Sequence, residues 1–432
     1  MTILHIHSLA EYDETLAIAY KMMKFSGIRV NRNDSPTAKK WWNFFFWFQF
    51  INLMISFYLN SMRFREIVME GSFDDITRIF RMLPCMGYMI LAMVKTYKMV
   101  LQRSVFENLI NELRGMWPQG HVLDDDHQVL KNALTEINYS VRGYYICNYL
   151  LGVSFIVPFY INVVRRALGT EIPRVLPYNY WMPFNQTSPG YYEFTLTLQF
   201  LHTVSTLFFM LSSDLLFCIF LSHISTQFDL MSNRIKRLIL VPTDQQLIKE
   251  YPLGAYYKAT TGEINEIDVN TVAEDEIKIK TELVFLIMRH RALIRLANDV
   301  EEMFSFALFI NFAYSSIIIC FCAFCCVQIE KWNEIMYKLF LTTTLSQVWL
   351  MSWHGNKLIE ASNGFSVAIY NSGWYAASQK IKTILFIMMY RSQKPVFVTT
   401  YGFAKISLMS YTTIIKTAWS YFTLLLNTYQ PN

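Results

Sequence analysis

One stripe near the C-terminus carries most of the chemistry that this sequence offers. Ser410, Thr413, Thr417, Ser420, Leu424 and Asn427 follow one another at intervals of three and four residues, so on an α-helix all six lie along one side. All but Leu424 are small or polar, and lipid penalises hydroxyls and amides turned towards it. The stripe must therefore face water or protein. Facing water, a ring of such helices would line a passage, and Leu424 would form an apolar collar that closes by dewetting. Facing protein, the hydroxyls would serve as glue between helices. Spacing alone leaves both readings open.

Little else points to catalysis. The sequence has no GxxxxGK[ST], GxGxxG, HExxH or GxSxG pattern, so no phosphate cradle, zinc helix or nucleophile elbow is expected. The expectation is a protein that is not an enzyme and holds no metal or cofactor. His5 and His7 form an HxH that reads as surface, and Asp124-Asp125-Asp126-His127 reads as a solvated loop. Cys322 and Cys325 form a CxxC, but in an apolar run without a βαβ pattern it reads as packing rather than redox chemistry. All seven cysteines lie in apolar runs and are expected to be reduced. Asp214, beside Ser212 and Ser213, is an acid within an apolar segment. Such a group is functional by default, although a hydrogen bond between packed helices fits its depth equally well. Lys416, one residue off the stripe, would reach a lateral conduit, pair with an acid or snorkel.

A second set of residues suits binding. Leu83, Met86 and Gly87 share a face of one apolar segment, and Tyr149, Gly152, Ile156 and Phe159 share a face of another. With His202, Thr206 and Phe209, and with Thr342 and Ser346, they are candidates for a pocket in the outer half of a helical bundle. The surroundings are aromatic, Met-rich and sparsely polar, which fits an apolar ligand with one polar end. Ordinary helix packing is the alternative for each residue taken singly.

The elements that must hold these residues are membrane spans. Of the 432 residues 53% are hydrophobic and only 16% charged, with a mean hydropathy of +0.24; soluble domains carry about 25% charged residues. The net charge of +5 is too weak to suggest nucleic acid. Apolar runs long enough to cross a bilayer lie at 41–61, 79–101, 143–164, 194–222, 303–328, 335–355 and 396–428. The fold class expected is all-α with seven transmembrane helices. The stretch from Ile381 to Tyr390 is cut off by Arg391-Ser392-Gln393-Lys394-Pro395, and Pro395 disfavours helix before it. The seventh helix is thus read as two segments, a cytoplasmic 7a and a spanning 7b that runs on from residue 396.

Loop charge sets the orientation. Lys21, Lys24, Arg29, Arg32, Lys39, Lys40, Arg103, Arg114, Lys131, Lys357, Lys380 and Lys382 fall on one side, with fewer basic residues opposite. The bias places the N-terminus in the cytoplasm. No signal peptide is visible, so the first span acts as its own signal. Of three sequons, Asn185-Gln186-Thr187 falls in an outer loop and is the glycosylation candidate, whereas Asn33 and Asn138 fall on inner segments. The organisation expected is a cytoplasmic N-terminus over 1–40, four helices with the pocket over 41–225, and a cytoplasmic loop with helix extension over 226–300. Then come helices five, six and 7a over 301–395, and 7b over 396–432. The mixed-charge part of the long loop reads as partly disordered, with helix returning from about residue 276.

The C-terminal residues resemble the signature of the insect odorant receptor family. The likeness rests on Tyr370 with Trp374, on Ser392-Gln393-Lys394-Pro395, Gly402 and Ser407-Leu408, and on Thr417 followed by Ser420-Tyr421-Phe422. The run Ile414 to Leu425 looks most like the moth sex-pheromone branch. The resemblance implies seven helices with an inverted topology relative to G-protein-coupled receptors, and four subunits around one pore lined by 7b. It implies a hetero-oligomer with the odorant receptor co-receptor in the plasma membrane of a sensory dendrite, gated by a volatile hydrophobic ligand and passing cations non-selectively. It also implies that Leu424 is the hydrophobic gate, and that helices four to six with 7a anchor the subunits. A G-protein-coupled receptor would carry DRY-like and NPxxY motifs, a transporter would show repeats and buried charge pairs, and a gustatory receptor would carry TYxxxxxQF. The first and last are missing, though Ser420-Tyr421 echoes the start of the gustatory motif, and the sequence shows little of the second.

Overall fold

Each apolar run becomes helix over most of its length, and the helices outlast the runs that define them. A computed structural model describes residues 4–28, 35–70, 74–239, 269–328 and 335–428. Its helices, in chain order, are α1 (Leu9–Phe25), α2 (Pro36–Glu70), α3 (Asp74–Leu101), α4 (Arg103–Met116) and α5 (Asp124–Ala167). They continue as α6 (Tyr191–Leu238), α7 (Val269–Gln328), α8 (Ile335–Tyr370), α9 (Gln379–Ser392) and α10 (Leu408–Thr428). About 20 helical residues cross a bilayer, whereas α5, α6 and α7 have 44, 48 and 60. These three are long and apolar enough to cross a membrane, and each also extends far past its apolar run. Helix α6 is the axis of the bundle: α1, α2, α3, α5, α7 and α8 all pack on it, and Phe209, Leu215, Leu221 and Phe228 along it are fully buried.

Several sequence expectations need correction. Asp124–Asp126 form the first turn of α5, where carboxylates complement the helix dipole, and are not a loop. Asp126 accepts from Arg237 at 2.5 Å and from Asn233 at 3.1 Å on α6. His5 and His7 are not simply surface residues. They lie on β1 (Leu4–His7), which pairs antiparallel with β2 (Gly120–Leu123). His7 is buried between Glu11, at 2.7 Å, and His127, at 2.8 Å. The seventh helix does not begin at 396. Residues 396–407 form a tight hairpin-like turn in which Ile406 N–H bonds Val398 C=O at 2.9 Å and Thr400 N–H bonds Ala404 C=O at 2.8 Å. Tyr401 and Gly402 at its tip have φ of 53° and 82°, a left-handed pair that no α-helix contains.

Helices α1 and α4 were hidden because their charged faces break up the apolar runs. Arg114 of α4 forks onto Asp13 of α1 at 2.9 and 2.7 Å. Residues 240–268 of the mixed-charge loop and the Asn33 sequon lie outside the described residues, whereas Glu274 to Lys280 belong to α7, so helix returns earlier than residue 276.

Candidate functional site

The bundle encloses one narrow apolar cavity in the region where a pocket was expected. Its walls come from Cys85 and Tyr88 on α3, Leu151, Gly152 and Phe155 on α5, and His202, Thr203, Thr206 and Leu207 on α6. Phe340 on α8 and Tyr178 from the segment joining α5 to α6 complete it. The cavity holds about 340 Å³ of space between atoms, of which only about 30 Å³ admits the centre of a water molecule. That is room for a water or two; a larger guest must displace side chains. Aromatic rings make up much of the wall: Phe155 stacks on Tyr178 at 5.5 Å, and Tyr88 meets Phe340 edge-on at 5.1 Å. Cys85 follows Pro84, which sits inside α3 and removes one backbone donor beside the cavity.

The cavity gathers some of the expected pocket residues and leaves others elsewhere. Gly152, His202 and Thr206 line it. Leu83, Met86, Thr342 and Ser346 do not border it. Gly87 is buried against α7, where an added Cβ would come within 2.6 Å of the Tyr314 ring. Phe209 is deep in the core beside Phe46. Tyr149 is 59% exposed on the outer face of α5. Ile156 lines a shallow groove with Phe200 outside the bundle, and half-buried Phe159 stands near it on α5. Helical spacing said which residues neighbour one another along a helix; it did not say which of them met the void.

Below the cavity lies a buried polar chain centred on Asp214, whose partners the sequence did not announce. Lys95 Nζ donates to Asp214 Oδ1 at 2.5 Å, and both side chains are 1% exposed. Tyr144 and Gln347 donate to Asp214 Oδ2 at 2.8 and 2.6 Å. Tyr88, a wall residue, donates to Asn148, which donates in turn to the carbonyl of Tyr144. Buried charges persist only when paired and fully bonded, and this chain ties α3, α5, α6 and α8 together. Among the described residues, Lys95 with Asp214 is the one ion pair with both side chains fully buried.

The terminal stripe stands clear of its own chain. Ile414, Ala418 and Phe422 of α10 pack into α7 and α8 against Ile319, Val348, Cys320 and Phe324. Thr413, Ser420, Leu424 and Asn427 are exposed, with Ser410 and Thr417 half-buried. Thr413, Thr417 and Ser420 donate to carbonyls four residues back, at 3.0, 2.9 and 3.0 Å, so these hydroxyls are not glue between helices of this chain. Lys416 is exposed, with no acid paired to it among the described residues. Asn185 is exposed in a turn closed by Thr187 N–H and Oγ1–H at 3.0 and 2.7 Å.

A family model described as 7tm Odorant receptor matches residues 75–419, well over half the chain. The chain belongs to the insect odorant receptor family. The receptor is 25% identical to Odorant receptor 85b of Drosophila melanogaster over 428 residues, covering 95% of this chain and 99% of that one. It is 24% identical to Odorant receptor 67c of the same fly, covering 94% and 93%. Its fold matches olfactory receptor OR5 of Machilis hrabei solved in complex with eugenol, with a TM-score of 0.75 at 14% identity over 97% of this chain and all of that one. A structure of OR5 described without eugenol gives 0.76. The odorant receptor is thus an all-α membrane protein of the seven-transmembrane class.

Among the wall and network residues that sequence reasoning missed are Tyr178 and Lys95. Tyr178 belongs to no helix; it is held because Gln199 of α6 accepts from its N–H at 3.2 Å and donates to its carbonyl at 2.9 Å. The aromatic run around Pro177 and Tyr178 was the available signal. Lys95 was visible inside the second apolar run, and its four-carbon stem disguised it as an interfacial residue.

Proposed function

We propose that this receptor is a tuning subunit of a ligand-gated, non-selective cation channel, assembled with the odorant receptor co-receptor as a four-subunit ring around one pore. The observation that carries the reading is α10: one face is buried in its own chain, and the hydroxyl-bearing stripe is left open with its protons bonded to its own backbone. A face of this kind costs least against water, and a ring of copies supplies water at its centre. Leu424, 62% exposed near the end of the stripe, is the collar. The N-terminus lies in the cytoplasm, so α9 and the long extensions of α6, α7 and α8 form the cytoplasmic anchor.

The cavity between α3, α5, α6 and α8 is the ligand site. Its apolar walls fit a volatile hydrophobic molecule; the structural relative's complex with eugenol is in keeping with a small organic ligand. The moth-like C-terminal run favours a long-chain unsaturated acetate, aldehyde or alcohol. A ligand opens the channel only by binding the open arrangement more tightly than the closed one, and the closed cavity described above is too small for such a chain. The test is Leu424→Ser, expressed with the co-receptor. The expected outcome is a standing cation current without ligand; a current as ligand-dependent as that of the unaltered receptor would remove Leu424 from the gate.

A further inference from the structure

Hydrogen-bond bookkeeping around the cavity leaves one donor without a partner. The Thr206 hydroxyl donates to the carbonyl of His202 at 2.9 Å, and that of Thr203 donates to the carbonyl of Gln199 at 2.8 Å. The Tyr178 hydroxyl lies 3.0 Å from Thr203 Oγ1; because the Thr203 proton is already committed, Tyr178 is the donor there. The Tyr88 proton goes to Asn148 at 3.1 Å. Apart from the weak Cys85 thiol, only the His202 ring remains.

The His202 tautomer follows from its neighbour. His202 is 3% exposed, and its Nδ1 lies 2.9 Å from the hydroxyl of buried Tyr180. A buried hydroxyl proton must find an acceptor. Nδ1 is the one hydrogen-bond partner of the Tyr180 hydroxyl among the described residues, so Tyr180 donates to Nδ1. A ring that accepts at Nδ1 carries its proton on Nε2. Among the described residues no group bonds Nε2, and His202 lines the cavity.

We propose that His202 offers this Nε2–H to the polar end of the ligand, and that Tyr180 is the positioning residue that fixes the tautomer. The ligand class is therefore neutral, with an apolar chain and a hydrogen-bond acceptor such as an aldehyde or ester carbonyl. No carboxylate lines the cavity to hold a cationic head. The inference rests on the cavity being the ligand site.

The test uses the full-length receptor with its co-receptor, surface levels matched by biotinylation, and three probes of similar chain length: decanal, decyl acetate and decane. In the unaltered receptor both carbonyl compounds act at lower concentration than decane. His202→Leu raises their half-maximal concentrations on the order of tenfold, the scale of one net hydrogen bond, and leaves decane unmoved. His202→Gln, which keeps an N–H, retains part of the preference. Tyr180→Phe frees the tautomer and gives a partial loss confined to the carbonyl compounds. Equal sensitivity to all three probes, silence towards decanal and decyl acetate, or a His202→Leu shift shared by decane would overturn the proposal. Gly152→Leu, which drives bulk towards Leu207 and the void, separates the two readings. If it leaves every response unchanged, the cavity is not the site; if it alters them while the His202 variants do not discriminate, the donor assignment fails and the cavity stands.

Discussion

Lys95 and Asp214 carry opposite charges in a part of the bundle that water does not reach, with Tyr144 and Gln347 filling the second carboxylate oxygen. Removing one partner strands the other, which costs about 3–5 kcal/mol. Lys95→Met and Asp214→Asn are each expected to lower the melting temperature of the detergent-purified receptor and its surface level, and the double variant to recover most of both. Additive losses in the double variant would show that the pair is not coupled. His290 makes a prediction about acid. It lies between Phe228 and Phe365 in the extension of α7, and burial, aided by the Arg391 charge, lowers its pKa to about 4. A ring whose folded pKa lies below the ordinary value near 6.5 stabilises the fold above that value and loses this contribution as pH falls towards 4. By pH 5 the loss is about 2 kcal/mol at 1.36 kcal/mol per unit. His290→Phe should flatten this part of the acid sensitivity in a melting-temperature series between pH 7 and 5. An unchanged slope would count against burial as the cause. Asp214 was legible in the sequence because an acid stands out in an apolar run; Lys95 was less so, because a lysine near a helix end has an ordinary interfacial explanation.

The segment that launches α10 is as consequential as the helix itself. Ile406, the last fully buried residue before it, lies against Gly355 of α8, where an added Cβ would sit 2.6 Å from the Ile406 carbonyl oxygen. Backbone cannot step aside as a side-chain tip can, so Gly355→Ala is expected to cost about 1–3 kcal/mol and to reduce ligand-evoked current through displacement of α10. A melting-temperature shift of several degrees together with a smaller maximal current would bear this out; an unchanged protein on both counts would show that the contact relaxes freely. This segment was misread from sequence for a definite reason. Val396, Phe397, Val398, Tyr401 and Phe403 are apolar enough to extend the neighbouring run, and short apolar runs do not declare helix or turn by periodicity. Gly402, at the position that needs positive φ, was the clue.

At the scale of the molecule, the spans were legible because lipid leaves no alternative. A backbone crossing it must satisfy its own hydrogen bonds, and long apolar runs therefore become helices. The cavity was only partly legible. Gly152, His202 and Thr206 fell on readable helix faces, but Tyr178 arrives from an irregular segment tied down by Gln199, and no spacing rule foretells that. The stripe on α10 was legible as spacing: Thr413, Ser420, Leu424 and Asn427 are exposed and Ser410 and Thr417 half-buried. What it faces depends on contacts between chains, and this is the central claim. Single cysteines placed along α10 in the co-expressed channel, challenged with a water-borne, charged thiol reagent while current is recorded, test it directly. The expected result is modification at Thr413, Thr417, Ser420 and Asn427, with Ile414, Ala418 and Phe422 protected. Protection of the hydroxyl-bearing positions in open and closed channels alike would contradict it.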